Sequence, residues 1–120
     1  LVGSEMCIRD RVAVDVARAN VVSNQLEGCV TCLEAAGFDH LDLSASAPYD
    51  LVFANILKGP LIDLAPAMAS HIMDQGYAIL SGILTEQADQ VTSCYAEVGF
   101  ELVHREDIGE WSTLTLRKSQ

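Results

Sequence analysis

Two kinds of apolar pattern alternate along the chain. In VAVDVARANVVSNQL, Val12 to about Leu26, the residues Val12, Val16 and Ala19, with Ala13 and Ala17, recur at helical spacing. Gly28 punctuates that helix, and Val30 to Leu33 reads as a short strand. AAGFDHLDLSASAPYD mixes small and polar residues up to Pro48, the pattern of a loop with at most one helical turn. Leu51 to Ala54 is apolar on both faces, as suits a central parallel strand covered by helices. It ends on Asn55, and Lys58-Gly59-Pro60 turn the chain. Pro60 fits the first turn of a helix, while Pro66 forces the helical stretch through about Met73 to bend or divide. Gly76 is expected to stop it.

The second half repeats the alternation. YAILSGIL, Tyr77 to Leu84, is another continuous apolar strand. Thr85 suits an N-cap, with Glu86 in the first turn where the helix dipole favours it. Ala88, Val91, Tyr95 and Val98 mark one helix face, and Gly99 closes it. FELVHRE and WSTLTLRK, joined by DIGE with Gly109 in the turn, predict an antiparallel hairpin. Strands alternating with helices imply an α/β fold: a parallel sheet with right-handed crossovers, the hairpin adding an antiparallel strand at one side.

Composition narrows the function. The 120 residues suffice for one domain, half of them are hydrophobic, and the longest apolar runs are strand-length, so no span of a membrane is predicted. A net charge of -10 argues against nucleic acid as a direct partner, because phosphate contacts need clustered Lys and Arg. It fits a small ligand or a basic protein partner. Of Cys7, Cys29, Cys32 and Cys94, only the CVTC pair has a metal-like spacing. No second ligand pair accompanies it, with His40, His71 and His104 far apart, so buried reduced thiols are expected and no metal.

Asn55 carries the clearest chemical question. In an open parallel sheet, ligands bind beyond the carboxyl ends of the strands, where Asn55 falls. Its carboxamide offers both acceptor and donors. It either caps the following helix or contacts a ligand; the local residues leave both open.

DLVFANILKGPLIDLAP, then LSGILTEQ, then EW ahead of a last apolar strand, together resemble the C-terminal part of the PrmA-type ribosomal protein methyltransferases. VARANVVSNQ is similar to the helix after that family's second strand, and the likeness covers Val12 to Gln120. The resemblance implies a class I methyltransferase fold, here a partial doubly wound Rossmann-like sheet of strands three to seven. It implies S-adenosylmethionine as cofactor, a large-subunit ribosomal protein as substrate and a cytoplasmic enzyme. By motif, Asn55 takes the place of the strand-four Asn of the cofactor pocket. Related amino-group methyltransferases carry Asn-Pro-Pro-Tyr or Asp-Pro-Pro-Tyr there, so Asn55 and the Ile56 carbonyl are expected to hold the nucleophilic nitrogen. Ser81, Gly82 and Gln87 match family positions and read as mainly structural, the alternative being that the Ser81–Gly82 turn lines the substrate side; Trp111 reads as a packing residue. Two departures stand out: Gly109 replaces the first Glu of the family's Glu-Glu-Trp, and Asp74-Gln75-Gly76 replaces a Pro-Gly-Gly turn.

The first eleven residues, LVGSEMCIRDR, fit none of this. Leu1 to Asp10 resemble, without mismatch, the translation of a transposase adapter used to prepare sequencing libraries, and Arg11 is one of two residues its last bases allow. Residues 1–11 are therefore expected to be non-native and residues 12–120 to be the C-terminal part of a catalytic domain. No Gly-x-Gly occurs anywhere in the chain, although the family's pocket needs a Gly-rich loop and an acidic ribose-binding residue. The chain alone is thus expected to be inactive, with exposed apolar edges that favour self-association. Two alternatives remain at this level: a non-catalytic α/β binding module, and a methyltransferase for another amine. The residues do not separate a lysine from an α-amine target.

Overall fold

The computed structural model describes residues 4–8, 11–23, 30–34 and 47–119. They fall into two units, Leu1–Ser46 and Ala47–Gln120.

In the first unit, β1 (Ser4–Ile8), α1 (Arg11–Ser23) and β2 (Val30–Glu34) form a βαβ motif. β1 and β2 pair in parallel, from Ser4 opposite Val30 to Ile8 opposite Glu34. The segment set apart as foreign in sequence thus adds a strand to the expected order. Pairing with β2 satisfies backbone groups on both strands, which needs little of the side chains. α1 lies where its periodicity predicts, but Val12 and Val16 are exposed. Gly28, Cys29 and most of the mixed loop lie outside the described residues.

The second unit contains β3 (Tyr49–Asn55), α2 (Lys58–Asp63), α3 (Ala65–His71), β4 (Ile72–Leu84), a 3-10 turn (Thr85–Gln87), α4 (Ala88–Ala96), β5 (Phe100–Ile108) and β6 (Trp111–Lys118). Its sheet runs β3-β4-β6-β5, with β3 and β4 parallel and β6 antiparallel to both its neighbours. The antiparallel strand is therefore interior, not marginal as expected. A hairpin lets β6 fold back into the place beside β4, leaving β5 at the edge.

The divided helix before β4 matches the two prolines, with the break at Leu64 and Pro66 in the first turn of α3. Gly76 does not stop a helix. Ile72 already opens β4, and Tyr49 opposite Ile72 but Leu51 opposite Tyr77 leave a bulge that holds Met73 to Gly76. A Cβ at Gly76 would lie 2.7 Å from the Ile72 side chain and 3.0 Å from the Asp50 carbonyl, so the bulge needs glycine there. Gly99 and Gly109 both take positive φ where turns were read.

One face of this sheet is packed by the helices. Leu61 and Met68 from α2 and α3, Val91 and Tyr95 from α4, and Ala78, Leu80, Leu114 and Leu116 from the strands are all fully or almost fully buried. Tyr95 stacks obliquely on Phe100, ring centroids 5.6 Å apart, and donates its hydroxyl proton to the Leu61 carbonyl at 2.8 Å. Burial pushes the Tyr95 phenol far up, so it stays a donor. Each buried Leu or Ile side chain contributes about 1.5–3 kcal/mol, against about 0–1 kcal/mol for an exposed ion pair. Packing of this face therefore dominates.

Within the described residues, β3 is not covered on both faces as its composition predicts. Among the described residues it pairs with β4 alone, and Leu51 and Phe53 are 44% and 71% exposed. Alternation puts these two beside Tyr77 and Ile79 on the face that α2, α3 and α4 leave open.

Candidate functional site

The carboxyl ends of β3 and β4 lie side by side, with Asn55 opposite Ser81 in parallel register. Asn55 is still within the strand, and the helix that follows is capped by Leu57, with no side-chain hydrogen bond at that cap. The capping role for Asn55 is thereby overturned, because Leu57 holds the cap position and Ile56 intervenes between the two. Its side chain is exposed and, among the described residues, has no hydrogen-bond partner. An unspent carboxamide at the ligand end of a parallel sheet can bind something else.

Ile56 follows directly, about one-third exposed. Next after Ser81, and close to both residues, is Gly82, with φ of 79°. A Cβ built on Gly82 would stand 2.5 Å from Asn55 Oδ1 and 3.3 Å from the Ile56 carbonyl oxygen. Both acceptors therefore lie beside the point that a Cβ on Gly82 would occupy. Ser81 is half-buried beside them.

The turn to α4 is anchored by Gln87, not Thr85. The Leu84 N–H donates to Gln87 Oε1 at 3.2 Å, while the Thr85 N–H donates to the Glu110 carbonyl at 2.9 Å. Thr85 is drawn into the tight turn and cannot act as the cap. The second bond ties the end of β4 to the β5–β6 turn. Between them lies a groove of about 320 Å³ lined by Leu84, Thr85, Glu86 and Glu110.

Trp111, in register with Leu84 at the end of β6, is 54% exposed and is not the packing residue its sequence suggested. It opens β6 directly after the Gly109-Glu110 turn, at the end of the strand. Its place at the start of the last strand is as the sequence indicated; its exposure is not.

Below the groove, Arg105 donates to Asp107 (3.0 Å), Asp89 (3.1 Å) and the Thr85 carbonyl (3.4 Å). Ser112, buried, donates to Asp107 at 2.6 Å. These bonds, Arg105 first and Ser112 second, hold the Asp107 carboxyl below its ordinary range. The network fixes the 3-10 turn against β5. No cluster of metal-ligating side chains exists among the described residues, and Cys94 is a half-buried free thiol.

Comparison with known proteins supplies the family. The profile described as "Ribosomal protein L11 methyltransferase (PrmA)" matches residues 7–119. A ribosomal protein L11 methyltransferase from Chelativorans sp. is 46% identical over 112 residues, which cover 91% of this chain and 38% of that protein. One from Mesorhizobium japonicum is 43% identical over 108 residues, covering 90% and 37%. The chain thus spans less than two-fifths of the length of these curated relatives. Among solved structures, the ribosomal protein L11 methylase from Lactobacillus delbrueckii subsp. bulgaricus superposes with a TM-score of 0.85 at 23% identity, over 98% of this chain and 58% of that one. A methyltransferase from Pyrococcus furiosus gives 0.77 at 15% identity, over 97% and 62%. These two likenesses establish a Rossmann-like methyltransferase fold.

Proposed function

The chain belongs to the ribosomal protein L11 methyltransferase (PrmA) family, and from that premise we propose that it is the C-terminal part of a catalytic domain that methylates amines of ribosomal protein L11. Residues 12–120 are this part, and residues 1–11 are adapter-derived. The observation that carries the reading is the convergence of Asn55 Oδ1 and the Ile56 carbonyl at the carboxyl end of the sheet.

S-adenosylmethionine is the proposed methyl donor; when bound it supplies an electrophilic methyl group. The residues present fit one side of such a site. Asn55 has an unspent carboxamide, and Gly82 leaves a cradle that a Cβ would fill. The other side, a Gly-rich loop and an acidic strand end, has no counterpart in the sequence, so the chain by itself is expected not to turn over.

The chemistry required of Asn55 and Ile56 is positioning. A neutral primary amine has two N–H bonds and one lone pair. Two acceptors engage both N–H groups and leave the lone pair a single direction, which is the arrangement an in-line displacement needs. Both acceptors are uncharged, so they do not favour the ammonium form as a carboxylate would. The acidic surface, net charge -10, suits a basic ribosomal protein as partner and does not suit direct contact with RNA. No described helix is long and apolar enough to cross a membrane, and a cytoplasmic site of action follows from the substrate.

The test is methylation of L11 by the full-length protein carrying this segment, followed by mass spectrometry. Asn55→Ala is expected to lower turnover about 100-fold, the scale of a misplaced nucleophile. Wild-type turnover in that variant would sink the assignment of Asn55.

A further inference from the structure

Two independent features meet at Gly82. The first is a β-bulge. Leu80 faces Leu114 and Ile83 faces Ser112, so three steps along β4 match two along β6, and the extra residue falls at Ser81–Gly82. Bulges re-aim the strand that carries them and are common beside active sites. The second is the close approach already described. Asn55 Oδ1 and the Ile56 carbonyl both lie where a side chain at 82 would be, at 2.5 and 3.3 Å.

We propose that Gly82 is a positioning residue of the amine site: the bulge turns its bare α-carbon toward β3, and the absent side chain lets the Asn55 carboxamide and Ile56 carbonyl share one point. This rests on the reading of Asn55 and Ile56 as amine acceptors. Gly82 touches no substrate itself. A methyl group at 82 would push Oδ1 off the shared point, since 2.5 Å is far inside van der Waals contact and the neighbours on the other side are backbone. The carboxamide can yield by rotating, which keeps the fold and loses the geometry.

A purely structural role for Gly82 makes a different prediction. With φ at 79°, any L side chain carries backbone strain. That strain is the same whatever stands at position 55. The contact term exists only while Asn55 Oδ1 is there, so a double-variant cycle separates the two.

The experiment uses the full-length protein and its Asn55→Ala, Gly82→Ala and doubly substituted forms, with L11 as substrate. In each, kcat, KM and Tm are measured. Gly82→Ala is expected to lower kcat about 10- to 100-fold while KM for L11 stays within about twofold. On the Asn55→Ala background the same change is expected to cost less than about threefold, and its Tm loss is expected to shrink. If Gly82→Ala does not fold, Gly82→Ala/Asn55→Ser, which withdraws the crowded atom, is expected to fold. Equal losses of kcat and Tm on both backgrounds, or a second variant that also fails to fold, would overturn the proposal and leave Gly82 a bulge residue only. Wild-type turnover in Asn55→Ala alone is a separate signature: it removes the amine-site reading, and the positioning role with it.

Discussion

At the residue scale the chemistry turns on an uncharged acceptor. Replacing Asn55 by Asp keeps the Oδ1 acceptor and adds a negative charge beside the amine. That charge favours ammonium, raising the amine pKa, and the neutral nucleophile then needs higher pH. Asn55→Asp in the full-length protein is therefore expected to shift the rise of kcat with pH to a more alkaline range, as a pH–rate profile would show. An unmoved profile would mean that no amine sits against position 55. How Asn55 comes to be there was partly legible in sequence. A carboxamide ending the apolar run LVFA marked the strand end, but whether it capped the helix turned on Leu57, an unremarkable residue that takes the cap position. Gly82 was the less legible partner. In YAILSGIL a glycine reads as a weak point in a strand, and only the pairing of β4 with β6 reveals the bulge.

At the scale of elements, the site is held by ties between secondary structures. The Tyr95 hydroxyl links α4 to α2, the helix that follows Ile56. Tyr95→Phe should cost about 1 kcal/mol of stability, the usual net value of one hydrogen bond, seen as a lower denaturant midpoint at unchanged slope. Arg105 ties β5 to the turn after β4. Because Arg105 and Ser112 hold the Asp107 carboxyl below its unfolded value, the bond's stabilisation is present above about pH 4. It is lost as pH falls through the lower, folded value. The Tm difference between wild type and Arg105→Gln should accordingly be largest near neutrality and close in acid; a difference independent of pH would contradict the ion pair. Element types were legible because period and punctuation agreed: two prolines split one helix, and Ala88, Val91 and Tyr95 all proved buried. Strand order was not, since pairing is non-local, and the interior place of β6 leaves no mark in local pattern.

At the scale of the whole molecule, the chain matches most of itself to less than two-fifths of its relatives. Among the described residues β3 pairs on one side only, with Phe53 71% exposed, whereas the strand at the other end of that sheet, β5, carries Glu101, His104, Arg105, Glu106 and Asp107. Charge protects one edge and little protects the other. The 120-residue chain should self-associate in sedimentation velocity, and Phe53→Lys should reduce it; a monodisperse wild-type monomer would count against this. Sequencing unamplified DNA upstream of Val12 should likewise replace residues 1–11 with a frame leading back to a Gly-rich loop. Adapter origin and strand formation in β1 are compatible, because a parallel pairing asks little of the side chains beyond extended backbone. The most direct measurement is a crystal structure of the full-length protein with a donor analogue and a lysine-containing L11 peptide. The amine nitrogen should lie about 2.7–3.2 Å from both Asn55 Oδ1 and the Ile56 carbonyl. An amine seated elsewhere, with the Asn55 carboxamide turned away from it, would contradict the assignment of this strand end as the amine site.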